Sequence, residues 1–199
     1  MTLPFSQACE NNKEPILAVL SRHFRTSGAV LEIGGGTGQH AVHFATHLPH
    51  LHWQSSDLPA NLDMLNRRLQ SAALPNLPAA VPLDVTQTTW PVSTAGYVFS
   101  ANTLHIMPAA ANPFFFSHLV DILQPDGIVC VYGPFKYAGE FTSESNARFD
   151  QWLKANNPLS GVRDFETVNA LAREAGLTLV EDNPMPANNQ LLVWQKQAS

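Results

Sequence analysis

The stretch that decides the fold is VLEIGGGTGQ, residues 30–39, in which an apolar run ends on an acid and then breaks into alternating glycines. A helix-like segment, residues 39–45, follows at once. Glycine adopts positive φ angles without steric cost and lets a ligand approach the main chain closely. A strand, a glycine turn and a helix in this order predict a site for a nucleotide-like ligand. The alternative is a glycine-rich surface turn that binds nothing.

The glycine spacing and the preceding acid indicate which ligand this turn would take. Gly34, Gly36 and Gly38 read G-x-G-x-G, whereas a dinucleotide fingerprint reads G-x-G-x-x-G. Glu32 precedes the first of these glycines by two residues, and its carboxylate would repel a pyrophosphate but attract a cation or an ammonium group. This pattern resembles the first motif of the Rossmann-like S-adenosylmethionine methyltransferases, whose ligand carries a sulfonium and an amino acid.

Apolar strands and amphipathic helices alternate along the chain, which predicts a parallel sheet covered on both faces. The predicted strands are 29–33, 51–56, 79–83, 96–101, 128–132, 177–182 and 190–196. The predicted helices are 13–24, 37–48, 60–72, 112–123, 146–155 and 165–175. The short connection 183–189 predicts that the last two strands are antiparallel. The polar stretch 133–146 is predicted to be an active-site loop or lid, or simply a crossover loop.

Composition and charge predict one globular domain over residues 1–199, with 45% hydrophobic and 14% charged residues. The net charge is −5 and the longest basic run is Arg67–Arg68, which argues against nucleic acid as a partner. No segment has the apolar length to span a bilayer, and the N-terminus lacks the pattern of a signal peptide. Cys9 and Cys130 cannot form a disulfide framework. We expect a cytoplasmic protein without a membrane partner, and its oligomeric state stays open.

Candidate ligand residues lie where the predicted strands end, because open parallel sheets bind ligands beyond the carboxyl ends of their strands. Asp57, 19 residues after Gly38, is expected either to accept hydrogen bonds from ribose hydroxyls or to cap the next helix. Asp84, with Val85 next to it, is expected at an adenine end, or else caps its own turn. Asn102 is expected beside a reactive methyl group, where its amide offers donors and an acceptor.

Three further residues are expected on the acceptor side of the site. His105 follows Asn102 by three residues, and a neutral imidazole there would accept a proton from an acceptor nucleophile, unless it is a structural histidine under the loop. Tyr132 ends the predicted strand 128–132, and Lys136 follows four residues later. Lys136 is expected either to bind an acidic acceptor or to be a solvated lysine.

Three histidines lie at helical spacing directly after the glycine loop. His40, His43 and His47 fall at i, i+3 and i+7, so one helix face would present all three. A metal site needs convergent ligands and usually an acid, which this run lacks. The sequence therefore predicts an exposed polar helix face and no metal site.

Seven blocks spread over nearly the whole chain share one resemblance. They are FSQACENNKEPIL (residues 5–17), LEIGGGTGQHA (31–41), WQSSD (53–57), LDV (83–85), ANTLHI (101–106), YGPFK (132–136) and MPANN (185–189). Together they resemble the methyltransferase-like family long catalogued as a domain of unknown function, which has bacterial members and, as a methyltransferase-like protein, animal members.

The resemblance implies a class I methyltransferase fold: an α/β, three-layer, Rossmann-like architecture with a mostly parallel seven-stranded sheet and an antiparallel C-terminal strand. It implies S-adenosylmethionine as the cofactor and leaves the acceptor unassigned. The family usually carries an arginine after the acid of the N-terminal segment, where this chain has Asn11. Asn12 and Lys13 then remain as candidates for the cofactor carboxylate.

The sequence therefore predicts an S-adenosylmethionine-dependent methyltransferase that acts on a small-molecule acceptor. We expect Glu32 and the glycine loop to hold the amino-acid end of the cofactor. The N-terminal segment 1–25 and the stretch 133–146 are expected to close over the site and exclude water. A non-catalytic module that binds S-adenosylmethionine or S-adenosylhomocysteine is one alternative. An NAD-dependent oxidoreductase is another, and the glycine spacing speaks against it.

Overall fold

The computed structural model describes residues 3–197. Its helices are α1 (Gln7–His23), α2 (Gln39–His47), α3 (Leu62–Ala72), α4 (Asn112–Ile122), α5 (Glu144–Asn156) and α6 (Phe165–Glu174). Its strands are β1 (Gly28–Ile33), β2 (Leu51–Asp57), β3 (Val81–Pro82), β4 (Ala95–Ala101), β5 (Leu123–Gly133), β6 (Phe135–Tyr137), β7 (Glu140–Phe141), β8 (Arg163–Asp164), β9 (Leu177–Met185) and β10 (Asn189–Lys196). None of the helices within residues 3–197 has both the length and the apolar character that a bilayer crossing requires.

The main sheet has seven strands in the order β3-β2-β1-β4-β5-β10-β9. Strand β1 pairs in parallel with both β2 and β4, so the strand order reverses direction at β1. Strand β10 is antiparallel to both of its neighbours, β5 and β9. This topology confirms the predicted class I methyltransferase fold, with a mostly parallel sheet and an antiparallel C-terminal strand.

Helices cover both faces of this sheet, as the alternating pattern predicts. One core cluster packs α1, α2 and α3 against one face and is centred on aromatic residues such as Phe44, Trp53 and Phe99. The other packs α4 and α6 against the opposite face, around residues such as Phe116 and Trp194. Burial of these side chains on both faces leaves the carboxyl edge of the parallel strands as the place where polar residues gather.

Helix α1 begins at Gln7 rather than at residue 13, so the predicted start was wrong. The Ser6 side chain caps the helix by accepting a hydrogen bond from the Cys9 N–H at 3.3 Å. Pro15 lies inside the helix. Proline removes the hydrogen bond to the carbonyl of Asn11, and because Asn11 is exposed, water can hydrate that carbonyl.

The stretch 133–146, predicted to be an active-site loop or lid or a crossover loop, contains regular secondary structure that was not predicted. It contains the β6–β7 hairpin, in which Lys136 pairs with Phe141 and Tyr137 with Glu140. Ala138 and Gly139 form the two-residue turn with φ values of 50° and 80°, the positive values that a type I′ hairpin turn requires. Strand β6 also pairs in parallel with β8, so this stretch belongs to a second, three-stranded sheet.

The edge strand β3 is shorter than predicted, with two residues instead of five. Pro82 lacks a backbone N–H and therefore cannot extend the ladder. The Leu83 N–H still donates to the Asp57 carbonyl at 2.9 Å. This bond holds the residues after β3 beside the end of β2.

Candidate active site

The glycine loop after β1 takes the left-handed backbone conformations that its sequence predicts. Gly34, Gly36 and Gly38 have φ values of 79°, 53° and 74°. The N–H groups of Gly34 and Gly35 both donate to the Ser56 carbonyl, at 3.0 and 2.9 Å. These two hydrogen bonds to one carbonyl fix the loop against the end of β2, at the carboxyl edge of the sheet.

The atoms around each glycine show which glycines are needed for close packing and which one borders space for a ligand. A Cβ on Gly34 would lie 2.4 Å from the Thr103 Oγ1, and one on Gly35 would lie 2.2 Å from the Ser55 Oγ. A Cβ on Gly36 would meet no atom within 4 Å. Gly34 and Gly35 therefore allow close packing, whereas Gly36 borders open space that a ligand can enter.

Glu32 is a buried carboxylate directly behind this loop, with 2% of its surface exposed. Its Oε2 accepts a hydrogen bond from the Trp53 indole N–H at 3.1 Å. Burial, together with the nearby charge of Asp57, raises the pKa of Glu32 from 4.5 to about 7, against the opposing effect of hydrogen bonds from Ser55 and Trp53. A cation bound nearby would lower this pKa and offset the cost of the buried charge, so the site favours a positively charged ligand.

We expect the substitution Glu32→Gln to change how stability depends on pH. The folded pKa of Glu32 lies above its unfolded value of 4.5. Ionisation of this carboxyl therefore destabilises the folded protein, not at all at low pH and fully above pH ~7. Relative to the wild type, the variant should gain about 3 kcal/mol of unfolding free energy between pH 5 and pH 8. Urea unfolding at both pH values measures this difference, and parallel pH profiles would show that the carboxyl is not buried as described.

The Asp57 carboxylate ties the glycine loop to the end of β2. Its Oδ2 accepts a hydrogen bond from the Gly36 N–H at 2.7 Å. Its Oδ1 accepts from the Leu58 N–H and from the Asn61 side-chain amide, both at 2.7 Å. Each carboxylate oxygen has two lone pairs, so Oδ2 can accept one more donor beside Gly36. Asp57 thus combines a local capping role with an acceptor that faces the loop.

Asp84 caps its own turn, which was the predicted alternative to adenine binding. Its Oδ1 accepts from the Thr86 N–H at 2.9 Å and from the Thr86 hydroxyl at 2.8 Å. Val85 between them is buried. A cavity of about 250 Å³ borders Asp84 at the outer edge of the sheet and does not include the glycine loop. Its lining residues are Pro59, Pro82, Leu83, Asp84, Gln87, Thr89 and Pro91.

Asn102 and His105 come together where β4 and β5 end. Asn102 has a left-handed φ of 57°, and its N–H donates to the Tyr132 carbonyl at 2.8 Å. A Cβ on Gly133 would lie 3.4 Å from the His105 Nδ1 and 3.9 Å from the Asn102 Oδ1. The two side chains therefore flank the same point, beside a residue that has no side chain of its own.

His105 is a buried neutral imidazole. Burial lowers its pKa from 6.5 to about 4, and the nearby Arg163 charge contributes to the shift. Its ring meets the Phe149 ring edge-on, with centroids 5.3 Å apart. Within residues 3–197, neither ring nitrogen has a hydrogen-bond partner. The lone pair of this neutral imidazole can accept a hydrogen bond from a ligand, while the depressed pKa makes the ring a weak base.

Asn12, Tyr132 and His40 form a buried polar tract between α1, α2 and β5. The His40 Nε2 lies 2.7 Å from the Asn12 Oδ1, and because an amide oxygen only accepts, this nitrogen carries the proton. Burial raises the pKa of Tyr132, whose hydroxyl also interacts with the Asn12 and Asn189 side chains. The hydroxyl of Tyr132 is thus engaged by amides and lies in the core cluster under α1.

The predicted exposed histidine face was wrong for His40, which is 6% exposed because the longer α1 covers it. Burial lowers the pKa of His40 to about 4. His43 lies 3.4 Å from the Glu14 carboxylate, and His47 is exposed. In the described part of the chain, no three histidine, cysteine or acidic side chains gather as metal ligands would.

Lys136 lies in the β6–β7 hairpin. Its ammonium nitrogen is 5.6 Å from the centre of the Phe141 ring. The structure therefore places Lys136 on the small sheet, in contact with Phe141 rather than with Asn102 or His105. Its expected role toward an acidic acceptor stays a prediction.

The described part of the N-terminal segment, from residue 3 onward, is fastened to the glycine loop. The Ser6 N–H donates to the Gln39 side-chain oxygen at 2.6 Å, and the Gln39 amide donates to Glu10 at 2.7 Å. Arg68 donates to the carbonyls of Thr37 and Pro4. These bonds hold the segment beside the loop, while residues 1 and 2 lie outside the described residues.

Several of these residues were missed at the level of the sequence. Arg68, Phe149 and Arg163 lie outside the seven blocks, and Gln39 lies within the glycine-loop block but had been given no role. Asn189 lies in the block MPANN, which the family resemblance had singled out without a role. Because β10 runs antiparallel, its first residue lies at the carboxyl edge of β5, and this direction could have pointed to Asn189.

Residues 3–196 match the family model described as "Protein of unknown function (DUF938)". This chain belongs to that family. The match spans nearly the whole sequence and confirms the resemblance to a methyltransferase-like family of unknown function.

Solved structures with this fold include an O-methyltransferase family protein from Burkholderia thailandensis, at 18% identity and a TM-score of 0.82 over 94% of this chain. An O-methyltransferase family 2 protein from Planctomyces limnophilus, in complex with apigenin, aligns at 14% identity and 0.81 over 95%. NcsB1, an O-methyltransferase from neocarzinostatin biosynthesis solved with S-adenosylmethionine and 2-hydroxy-5-methyl naphthoic acid, aligns at 18% and 0.76 over 96%. At these identities the likeness establishes the methyltransferase fold.

The DUF938 chain spans little more than half the length of these proteins. It covers 57%, 57% and 55% of the Burkholderia, Planctomyces and NcsB1 chains, respectively. What those proteins bind and methylate therefore bears on this chain only as a proposal.

Proposed function

We propose that this DUF938 protein is an S-adenosylmethionine-dependent methyltransferase that acts on a small-molecule acceptor. The observation that carries the proposal is the open space over Gly36, with the buried Glu32 behind it and the Asp57 carboxylate beside it. Two carboxylates close to one glycine loop suit a ligand that carries an ammonium and a sulfonium. The fold of the neighbouring structures supports the same assignment.

The residues present fit this cofactor in chemical type. The amino-acid end would lie on the loop Gly34–Gly38 near Glu32, with Asn12 as a candidate partner for its carboxylate. One ribose hydroxyl would donate to the remaining lone pair of the Asp57 Oδ2. The adenine end would lie toward Asp84 and Val85, and the sulfonium end toward Asn102, at the carboxyl end of β4.

Methyl transfer needs a nucleophile in line with the methyl carbon and a place for the nucleophile's proton. S-adenosylmethionine, when bound, supplies a methyl whose bond to sulfur breaks with the electron pair left on sulfur, while an acceptor lone pair forms the new bond. His105 would take the acceptor proton on its unpaired ring nitrogen, and Asn102 would orient the acceptor beside it. Tyr132 and Lys136 are proposed to line the acceptor side, Tyr132 behind the amides of Asn12 and Asn189.

A non-catalytic binding module would share the cofactor contacts but release no product. Incubation of the protein with S-adenosylmethionine and a panel of metabolites tests this directly. Release of S-adenosylhomocysteine in the presence of one acceptor class would establish catalysis. Tight cofactor binding with no release over the whole panel would favour the module.

Asp57→Ala is expected to weaken cofactor binding by about 1–3 kcal/mol, since it removes the charged acceptor of a ribose hydroxyl. Asp63→Ala is the matched control, because it makes the same charge change at an exposed position in the first turn of α3. Calorimetric titration with S-adenosylhomocysteine measures both variants. Unchanged affinity in Asp57→Ala would reduce Asp57 to a capping residue.

A further inference from the structure

Three exposed apolar side chains and one half-buried ring lie near His105, and we call them the aromatic ledge: Trp152, Ile106, Leu159 and Phe149. Trp152 is 60% exposed, Ile106 57% and Leu159 61%, while Phe149 is half-buried. Exposure of large apolar side chains in one neighbourhood is a mark of a binding surface. None of the roles proposed above uses these residues.

The ledge is continuous with the candidate site through its rings. The Trp152 and Phe149 rings stack nearly parallel, at 11° and with centroids 5.9 Å apart. Phe149 in turn meets the His105 ring edge-on at 5.3 Å. A row of rings therefore leads from the buried imidazole to the surface of α5.

The backbone of the ledge is held in place by Arg163. Its Nη2 donates to the carbonyls of Met107 and Leu159, at 2.5 and 3.2 Å. The Ser160 hydroxyl donates to the Ile106 carbonyl at 2.6 Å. These bonds join the segment 159–163 to the loop after β4. The Val162 N–H also donates to the Asp150 carboxylate of α5 at 2.8 Å, so the three segments that carry the ledge form one preorganised surface.

The charged side chains of α5 close to the ledge are paired along their own helix. Lys154 lies 2.7 Å from the Asp150 carboxylate, and Arg148 lies 3.5 Å from Glu144. The ledge therefore offers ring faces and aliphatic surface rather than a charged contact. Flat aromatic molecules match such a surface, because offset stacking adds attraction to the burial of apolar area.

We propose that the aromatic ledge binds the body of a flat aromatic acceptor and places its nucleophilic atom at His105. This inference rests on the proposed methyltransferase function and names its substrate class. A stable protein partner would need about 20–30 residues on each side, far more than these four side chains, so a small ring system is the occupant that fits.

The test uses the whole protein saturated with S-adenosylhomocysteine and titrated by calorimetry with 2-naphthol. Decahydro-2-naphthol, the saturated analogue, is the matched probe without an aromatic ring. We expect 2-naphthol to bind about tenfold more tightly than the saturated analogue, and Trp152→Ala to weaken it about tenfold. Trp152→Phe should restore most of the affinity, and Phe114→Ala, an exposed aromatic change on α4, should leave it unchanged.

Equal binding of 2-naphthol by the wild type and Trp152→Ala would overturn the proposal, as would equal affinity for the two probes. Absence of naphthol binding, with a dimer that Trp152→Ala dissociates in sedimentation, would assign the ledge to contact between copies instead. Failure of the proposed methyltransferase function and failure of the ledge proposal can be distinguished. If S-adenosylhomocysteine itself does not bind, the proposed function fails first, and naphthol titration of the protein alone still tests the ledge.

Discussion

Gly36→Ala is expected to lower the affinity for S-adenosylmethionine about 10- to 100-fold, with the protein still folded. A methyl at this position meets no protein atom within 4 Å, so it would project into the space assigned to the ligand. Inserting a methyl group into a well-packed contact costs about 1–3 kcal/mol. The left-handed φ of 53° adds about 1–2 kcal/mol of strain to the fold.

Gly176→Ala is the matched control for this variant. Gly176 also has a positive φ, of 78°, and open space around its position, but it lies after α6, away from the loop. Both variants should lose a similar amount of unfolding free energy, while only Gly36→Ala should lose cofactor affinity. Equal affinities in the two variants would show that the space over Gly36 holds no ligand.

His105→Gln is expected to reduce turnover of an identified acceptor about 100-fold or more, with cofactor affinity nearly unchanged. Glutamine retains much of the size of the imidazole against Phe149 but cannot accept a proton at neutral pH. His52→Gln, at an exposed position on β2, is the control for histidine loss elsewhere. Normal turnover in His105→Gln would remove His105 from the proposed catalytic group.

The pH profile distinguishes a proton acceptor from a packing residue. Because burial depresses the pKa of His105 to about 4, the imidazole stays neutral from pH 8 down to well below its ordinary value of 6.5. The rate of the wild type should therefore show no loss near pH 6.5 that traces to this residue. A rate that falls through pH 6.5, and no longer falls there in His105→Gln, would contradict the described burial.

The approximate positions of the strands and the glycine loop could be predicted because their signals are local. Apolar runs of strand length, each ended by a polar residue, indicate parallel strands, and VLEIGGGTGQ indicates the first loop. The positive φ angles of Gly34, Gly36 and Gly38 follow from the same spacing. Sequence spacing alone could not show that, among Gly34, Gly35 and Gly36, only Gly36 borders open space.

What the sequence did not predict depends on contacts between distant segments. His40 looked exposed because helical spacing aligned it with His43 and His47, but α1 covers it through the Asn12 contact. The β6–β7 hairpin was missed because its turn is Ala138–Gly139, without the Asn-Gly or Asp-Gly signal that usually marks such turns. The ledge was missed because Phe149 meets His105 only through the folding of α5 against the loop after β4, and Trp152 joins them by stacking on Phe149.

Calorimetric titration of the wild-type protein with S-adenosylmethionine and with NAD tests the central claim most directly. The described site predicts saturable one-to-one binding of S-adenosylmethionine and no heat from NAD, since two acids stand beside the loop where a pyrophosphate would lie. Binding of NAD alone, or of neither compound, would contradict the account.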